Sequence, residues 1–463
     1  MTGAGRGWLA AAIAAIAVVG ASAAVRIGPA APASAVPGMA VSSTWLCPHG
    51  GGPSWTVTIA IANPGTEAIQ ARLTSYGERQ PKEIAELDVP AHGEVLQEVP
   101  GSVRAASTRV DVFGGWAAVG WTEWAGRTGS GLGAEPCTST PGPSWSVVDG
   151  VTNRRTESYL VIMDPFTADA VVDVALFLSE RPPVRSAEWS DLPVDAGTSI
   201  ALDLGNKTSG ALGERIVGAQ ITASVGRVAA SSLAVEQGGG IRSVLASPVL
   251  SNRWIIPAAG GSGSGTLSLL VPQETPVRYD VTQLSAEAES QTAATPTEAR
   301  QGGTSASSAQ IGSLGPSAVI VDVREGGPVV AALREGGSRD DEAVTGGVPA
   351  AATAWVVLPT AFGLDPRPSL ALVNDGDQPV SATLTLLHEG GGSLGDTMQV
   401  TVPPGTLGVP GKFLRQDHVA AVLVSADGPI VALGAGTAGS RDSARYAMSV
   451  GVPIPAGVLS AVP

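Results

Sequence analysis

Four short tryptophan-led segments recur about every hundred residues: Trp45-Leu-Cys-Pro48, Trp145-Ser-Val-Val148, Trp254-Ile-Ile-Pro257 and Trp355-Val-Val-Leu-Pro359. Propeller blades repeat at ~40–50 residues, so this longer period points elsewhere. A unit of ~100 residues can bury a core of its own. After each tryptophan segment comes an alternating run that ends in a turn. Trp55–Ala62 meets Asn63-Pro64, Tyr159–Met163 meets Asp164-Pro165, Leu267–Val271 meets Pro272, and Leu370–Val373 meets Asn374-Asp375. A second run follows each time: Ile69–Tyr76, Val171–Leu178, Val277–Leu284 and Val380–Leu387. A Pro or Gly corner comes next, as in Val89-Pro90-Ala91-His92-Gly93 or Val402-Pro-Pro-Gly405.

Each unit then closes with what reads as a pair of strands: Arg109–Phe113 with Ala117–Trp121, Gln220–Val225 with Val228–Val235, Ala318–Val323 with Val329–Leu333, and the halves of Val419–Gly436. Ala426-Asp427-Gly428-Pro429 separates those last halves and predicts a hairpin loop. Pro136, Pro248, Pro349 and Pro453 end the units.

Side-chain chemistry fixes these runs as strands. In Val380-Ser-Ala-Thr-Leu-Thr-Leu386 small and apolar residues alternate with hydroxyls, the period of a half-buried strand. Val, Ile and Thr suit a pleated surface. A residue before Pro avoids the helical region, so Asn-Pro and Asp-Pro turn the chain. Gly (60) and Pro (35) punctuate these runs without forming a repeat of their own. About seven strands per hundred residues outline an immunoglobulin-like sandwich, although no unit holds the Cys…Trp…Cys pattern of antibody domains.

The expected fold is therefore all-β: about four tandem immunoglobulin-like β-sandwich modules after one N-terminal transmembrane helix. Boundaries fall at 44–140, 141–250, 251–350 and 351–463. Ser285–Gly315 is polar and small, and reads as a flexible insertion in the third module (285–315). The pattern leaves open whether the modules are separate or pack into one assembly, and it does not give the oligomeric state.

Trp8–Val25 runs 18 residues without a charge, ~27 Å as a helix. Residues 1–7 then form a cytoplasmic tail, 8–25 a transmembrane signal anchor and 26–43 an Ala/Pro-rich linker. A competing reading is a signal peptide cut after Ala23 or Ala35. The first places the C-terminal bulk outside the cytoplasm on a single-pass anchor; the second secretes it. The two cysteines, Cys47 and Cys137, bracket the first module. In an oxidising compartment they can pair as a disulfide, worth at most ~4.5 kcal/mol for a loop of this length; otherwise they are free buried thiols.

Net charge is −14, which repels phosphate backbones and argues against nucleic-acid binding. Four scattered histidines (49, 92, 388, 418) lack zinc-ligand spacing and read as surface loop residues. Asp340-Asp-Glu342 is an acidic turn without the spaced oxygens of a calcium loop. Gly50-Gly-Gly-Pro53 and Gly260–Gly265 are turn and linker, since no helix follows either. No metal, cofactor or catalytic group is expected. The tryptophans at 45, 145, 254 and 355 recur at equivalent places and read as plugs of the module ends. Glu123 lies between Trp121 and Trp124, with Trp116 nearby. Trp116, Trp124 and Glu123 are the candidates for a carbohydrate-binding face, because aromatics stack on sugars and raise a neighbouring carboxyl's pKa; the competing and leading reading is that Trp121 faces the core and Trp124 packs on the Cys47 end or the next module.

Ser43-Thr-Trp-Leu-Cys-Pro48, Glu135-Pro-Cys137, the apolar N-terminal span and the Asn-Pro strand ends together resemble one group. These are the actinobacterial membrane-anchored envelope proteins of domain-of-unknown-function family 5719. The resemblance implies a cell-envelope location and carries no activity. The leading expectation is a non-enzymatic extracytoplasmic envelope protein, a scaffold or interaction module whose partners are envelope proteins or cell-wall glycans. The alternative is an accessory protein binding cell-wall or capsular polysaccharide; a glycan-processing enzyme comes third.

Overall fold

The computed structural model describes residues 41–125, 131–179, 182–214, 217–238, 240–260, 265–285, 292–293, 297–299, 304–307, 316–336, 342–360, 367–391, 396–414, 421–438 and 445–459. Their regular structure is almost all β, apart from two one-turn α-helices, Gly411–Leu414 and Ala456–Leu459, and two short 3-10 turns, Ala187–Trp189 and Lys207–Ser209. No helix among them is long and apolar enough to cross a membrane. The expected tail 1–7, the span 8–25 and most of the linker lie outside the described residues.

One topology occurs four times. In the first unit Val41–Cys47, Ser107–Phe113, Ile69–Tyr76 and Lys82–Val89 form one sheet in that order. The first unit's other four strands, Gly93–Val99, Trp55–Asn63, Ala118–Ala125 and Gly131–Pro136, make up the second. The second and third units repeat this arrangement with their own strands. Apolar faces of the paired sheets meet in continuous cores, where Val57, Ile59 and Ile61 pack with Leu73, Val110 and Val112.

This topology corrects the expected closing pairs. Ser107–Phe113 bonds to Val41–Cys47 and Ile69–Tyr76, while Ala118–Ala125 bonds to Trp55–Asn63 and Gly131–Pro136. The two lie in different sheets, because the chain turns across the sandwich at Gly114 (φ 88°) instead of folding back on itself. Gly226 and Gly326 mark the same corner in the second and third units. The fourth unit has no such corner. Ala421–Ala438 is one continuous strand, so the predicted hairpin at 426–429 does not form. Its first half pairs with Val380–Glu389 and its second with Arg367–Asn374. A register shift opposite Ala352 and Ala354 absorbs the extra residues, and Asp427 accepts the N–H of Ser381 at 2.9 Å.

The insertion 285–315 is also corrected in its described parts. Thr292–Ala293 and Thr297–Ala299 pair with Val277–Ser285, and Thr304–Ser307 pairs with Thr266–Leu270. They hold the edge positions that Lys82–Val89 and Gly93–Val99 fill in the first unit. An edge strand needs backbone pairing on one side only, so small polar residues suffice there.

The recurring tryptophans are all buried. Indole N–H groups of Trp145, Trp254 and Trp355 donate to the carbonyls of Val228, Val329 and Ile430 at 2.7–2.8 Å; the first two acceptors lie just past the glycine corners, and the third lies within the continuous strand of the fourth unit. In the first unit Trp116 packs edge-on against Trp45 instead, 6.1 Å between ring centroids. The Asn turns repeat as well. Asn63 Oδ1 accepts from Gly65 N and its Nδ2 donates to Glu67 O; Asn374 does the same with Gly376 and Gln378. Asp164 takes this place in the second unit and accepts from Phe166 N at 2.8 Å.

The units close into a ring. Their last strands are Gly131–Pro136, Ile241–Leu245, Glu342–Gly346 and Arg445–Val450. The first touches the second, the second the third, the third the fourth, and the fourth the first. The fourth and first units also share a sheet through a short parallel pairing, His388 with Gly93 and Glu389 with Glu94. Cys47 and Cys137 are disulfide-bonded, stapling the two ends of the first unit.

Candidate functional site at the ring axis

The sequence-derived carbohydrate face does not assemble. Glu123 is fully buried (0 % exposed). Trp124, on the opposite side of the same strand, is half-buried against Leu132, Ala134, Ala438 and Ala447 of the first and fourth units. Trp116 is half-buried against the first unit's core and Trp45. Trp121 lies in that core.

What the topology brings together instead is the axis. The four last strands run side by side, and each end of their bundle has a cavity. At the far end, Pro136, Leu245, Gly346 and Val450 line a mostly apolar cavity of about 160 Å³ that also touches Glu135. At the near end, Glu342, Arg445 and Gly240 open a wider polar cavity of about 410 Å³, with Asn153, Arg155, Thr156, Glu236 and Gln237. A second polar cavity of about 390 Å³ shares Asn153, Arg155, Thr156, Glu236 and Gln237 and continues to Arg104, Arg154, Glu157 and Asp203. The two form one groove across the mouth of the ring.

Beneath the groove lies a buried ion network. Arg242 reaches Asp149 at 3.1 Å and Glu342 at 2.8 Å, and also pairs with Glu236. Arg334 reaches Asp149 at 2.8 Å and Glu342 at 3.4 Å. The network joins the second and third units. Arg242 and Asp149 are desolvated and each is answered by more than one partner, the condition under which burying ions is tolerated, while Glu236 and Glu342 reach up to the solvent of the groove. Glu342, read from sequence as part of an acidic turn, is thus a structural anion.

Three further carboxyls sit on seams between units, all from the first unit. Ser243 Oγ of the second unit donates to Glu123 Oε2 at 2.6 Å. Burial pushes Glu123 up to about 8, opposed by that bond and by Arg104. Burial raises Glu135 well above the usual carboxylate range, against the N–H of Leu245 and with added repulsion from Glu123. Ala421 N of the fourth unit donates to Glu94 Oε2 at 3.0 Å; burial and, more weakly, Glu389 raise Glu94 too. The second oxygen of each carboxyl is buried without a close donor, which favours the protonated form.

His49 is likewise not on the surface. It is fully buried, its ring within 2.6 Å of Gly50 O and 3.0 Å of Thr108 Oγ1, and burial lowers its pKa to about 4. The glycines that follow it pack tightly: a side chain at Gly51 would strike the carbonyl of Gly101. Hence Gly50-Gly-Gly-Pro53 is a turn pressed against backbone, without room for a phosphate. His92 and His388 are half-exposed, and His418 is outside the described residues.

Sequence reading missed Arg154 and Arg155 at the groove and the Arg242–Asp149 pair below it. A signal existed for the second: Asp149 and Arg242 are the lone charges in otherwise uncharged strands, Ser144–Gly150 and Ile241–Leu245. Residues 101–409 match a family described only as one of unknown function, DUF5719. No curated protein matches the sequence. The matched span begins late in the first unit, runs through the second and third, which supply the ion network and the Asn153–Thr156 wall of the groove, and ends in the fourth; on that match the chain belongs to family DUF5719.

Proposed function

We propose that this protein is a non-enzymatic cell-envelope scaffold or interaction module of an actinobacterium, anchored through residues 8–25 with its ring outside the cytoplasm. The observation that carries the reading is the use made of its buried acids. Shifted carboxyls mark catalysis when they line an accessible cleft, but structural networks shift them too. Here Glu94, Glu123 and Glu135 each bond across a seam between units, so their task is to fasten the ring. The Cys47–Cys137 bridge supports an oxidising location. Immunoglobulin-like is the class the units come nearest to. Their second and fifth strands share one sheet and their third and sixth the other, as B–E and C–F do in immunoglobulin sandwiches; the first and seventh strands have exchanged sheets.

A second reading, polysaccharide binding, rests on the polar groove and no longer on the tryptophans. Two measurements on intact cells carrying the full chain test the first. A membrane-impermeant thiol reagent should label Cys47 and Cys137 only after reduction. A photo-crosslinker at position 155 should give a discrete adduct with an envelope component. Labelling that requires cell lysis would reverse the topology, and absence of any adduct at the mouth would remove the interaction role.

A further inference from the structure

We infer that the groove across the ring mouth is a binding site for an anionic oligosaccharide, with Arg154 and Arg155 taking its carboxylate or phosphate groups. The inference deepens the interaction reading and rests on it.

The acids that line the groove are already engaged. Glu236 and Glu342 are held by Arg242 from below, Glu157 by Arg104 (3.4 Å) and the Tyr159 hydroxyl (3.0 Å), and Asp203 Oδ1 by the N–H of Gly205 (2.8 Å). Arg154 and Arg155 are exposed and form no ion pair among the described residues. Asn153 holds them at the tip of a turn by accepting the N–H of Arg155 at 2.7 Å. In a chain of net charge −14, two adjacent guanidinium groups without an ion pair among the described residues bring the lining of this wall to charge balance, with both left available to a ligand. Guanidinium groups bind carboxylate and phosphate in a two-pronged geometry that point charges cannot match.

The rest of the lining decides the class of ligand. Asn153, Gln237, Thr156 and Glu236 offer carboxamide, hydroxyl and carboxylate groups along the joined cavities, and apolar walls are confined to Leu212 and Val235. A peptide or lipid would want apolar anchor pockets. A single-stranded nucleic acid would want aromatic faces on which its bases stack, and the residues lining the two cavities include none. A chain of hydroxyl-bearing rings with a charge on each repeat matches both the polar wall and the two free cations, and each cavity is within the size range of small-ligand sites.

The test uses the full-length protein in detergent micelles and titration calorimetry against three probes: oligogalacturonate for carboxylate, oligo(glycerol phosphate) for phosphate, and neutral dextran. Saturable binding of one or both anionic probes is expected, weakened by added salt and reduced tenfold or more in the double variant R154A/R155A. R278A, a change at an exposed arginine of the third unit, should bind as wild type does. Both variants alter exposed side chains, and matching unfolding temperatures will show that the ring is intact. Preference for one anionic probe identifies the group recognised. Dextran binding as well as the anions, R154A/R155A binding unchanged, or no saturation by any probe each overturns the site. If that happens while the crosslink at position 155 persists, the interaction reading stands and only the glycan assignment falls.

Discussion

Replacing Asp164 by Asn should stabilise the protein above neutral pH and leave it unchanged in acid. The reason lies in the internal repeat. Asn63 and Asn374 use a side-chain oxygen to accept from the residue two ahead and a nitrogen to donate to the carbonyl four ahead. Asp164 reproduces the first bond, to Phe166 N, but its Oδ2 is buried where the asparagines carry a donor. Burial therefore raises Asp164 from 3.8 to about 7, with the N–H groups of Phe166 and Ala170 offsetting only part of the effect. A folded-state pKa above the unfolded one means that stability is complete below pH 3.8 and is lost as pH rises through 7. At 1.36 kcal/mol per decade the ceiling is roughly 4 kcal/mol. The turn borders the exposed loop 167–169, so solvent relaxes the charge, and about 2 kcal/mol is the expected loss. Asp164→Asn removes the charge and supplies the donor. Calorimetric melting at pH 4 and pH 8 should show the two proteins level at the lower pH and the variant ahead at the higher. A gap that fails to widen between those pH values would refute the reasoning, because the benefit would then owe nothing to ionisation.

Glu123→Gln keeps an acceptor for Ser243 and removes a group that burial holds at about 8; it should cancel a loss of roughly 2–4 kcal/mol that wild type suffers between pH 4.5 and 8, read from urea midpoints across that range. His49 works in the opposite sense: its stabilisation is present above 6.5 and lost as pH falls through about 4, so His49→Gln should flatten the acid limb of the same profile. Removing the bridge with the pair Cys47→Ser and Cys137→Ser should cost roughly 3–4.5 kcal/mol, since its span of 90 residues closes a long loop in the unfolded chain. Arg242→Met should cost about 2–3 kcal/mol by taking from buried Asp149 one of its two guanidinium partners, and adding Asp149→Leu should recover part of it; a double variant worse than the sum of the singles would contradict the pairing.

The strands and their spacing could be read from the residues because alternation and turn chemistry act locally. Trp45, Trp145, Trp254 and Trp355 read as plugs of the module ends because they recur at equivalent places, and all four are buried, although the carbonyl acceptors of the last three could not be foreseen. Sheet assignment was hidden, because it depends on which way a glycine turns the chain: Gly114 crosses the sandwich where a hairpin was expected. The edge strands within 285–315 were hidden by their polarity, since backbone pairing leaves no mark on composition. Glu123 was singled out from sequence as part of a carbohydrate face, but its partner Ser243 is 120 residues away in another unit. That distance is why an interface carboxyl looked like a surface one. The ring itself could not be inferred, since its closure depends on contacts between the first and fourth units.

Those contacts fasten the one seam that the chain itself does not join. Each later unit is held to its predecessor by the chain itself, but the fourth meets the first with no covalent link across the seam. Closing such a ring is intramolecular, so modest contacts suffice once the other three joints fix the geometry. The structure supplies them in several forms: the parallel pairing at Gly93 and Glu94, the bond from Ala421 N to Glu94, Thr122 Oγ1 donating to Pro359 O at 3.3 Å, and Leu358 seated on Gly120. Gly120 is required there, because a Cβ would lie 2.9 Å from the Glu135 carbonyl oxygen as well as 2.6 Å from the Leu358 methyl, and the backbone cannot give way as a side chain can. Glu94 makes the joint sensitive to pH in the same direction as Asp164 and Glu123, tighter when the carboxyl is neutral. Arg445 and Glu342, which line the mouth, ride on the strands that this joint holds in place. The shape of the groove therefore depends on a seam that it does not touch, and any condition that loosens the first unit from the fourth must alter what the mouth can bind.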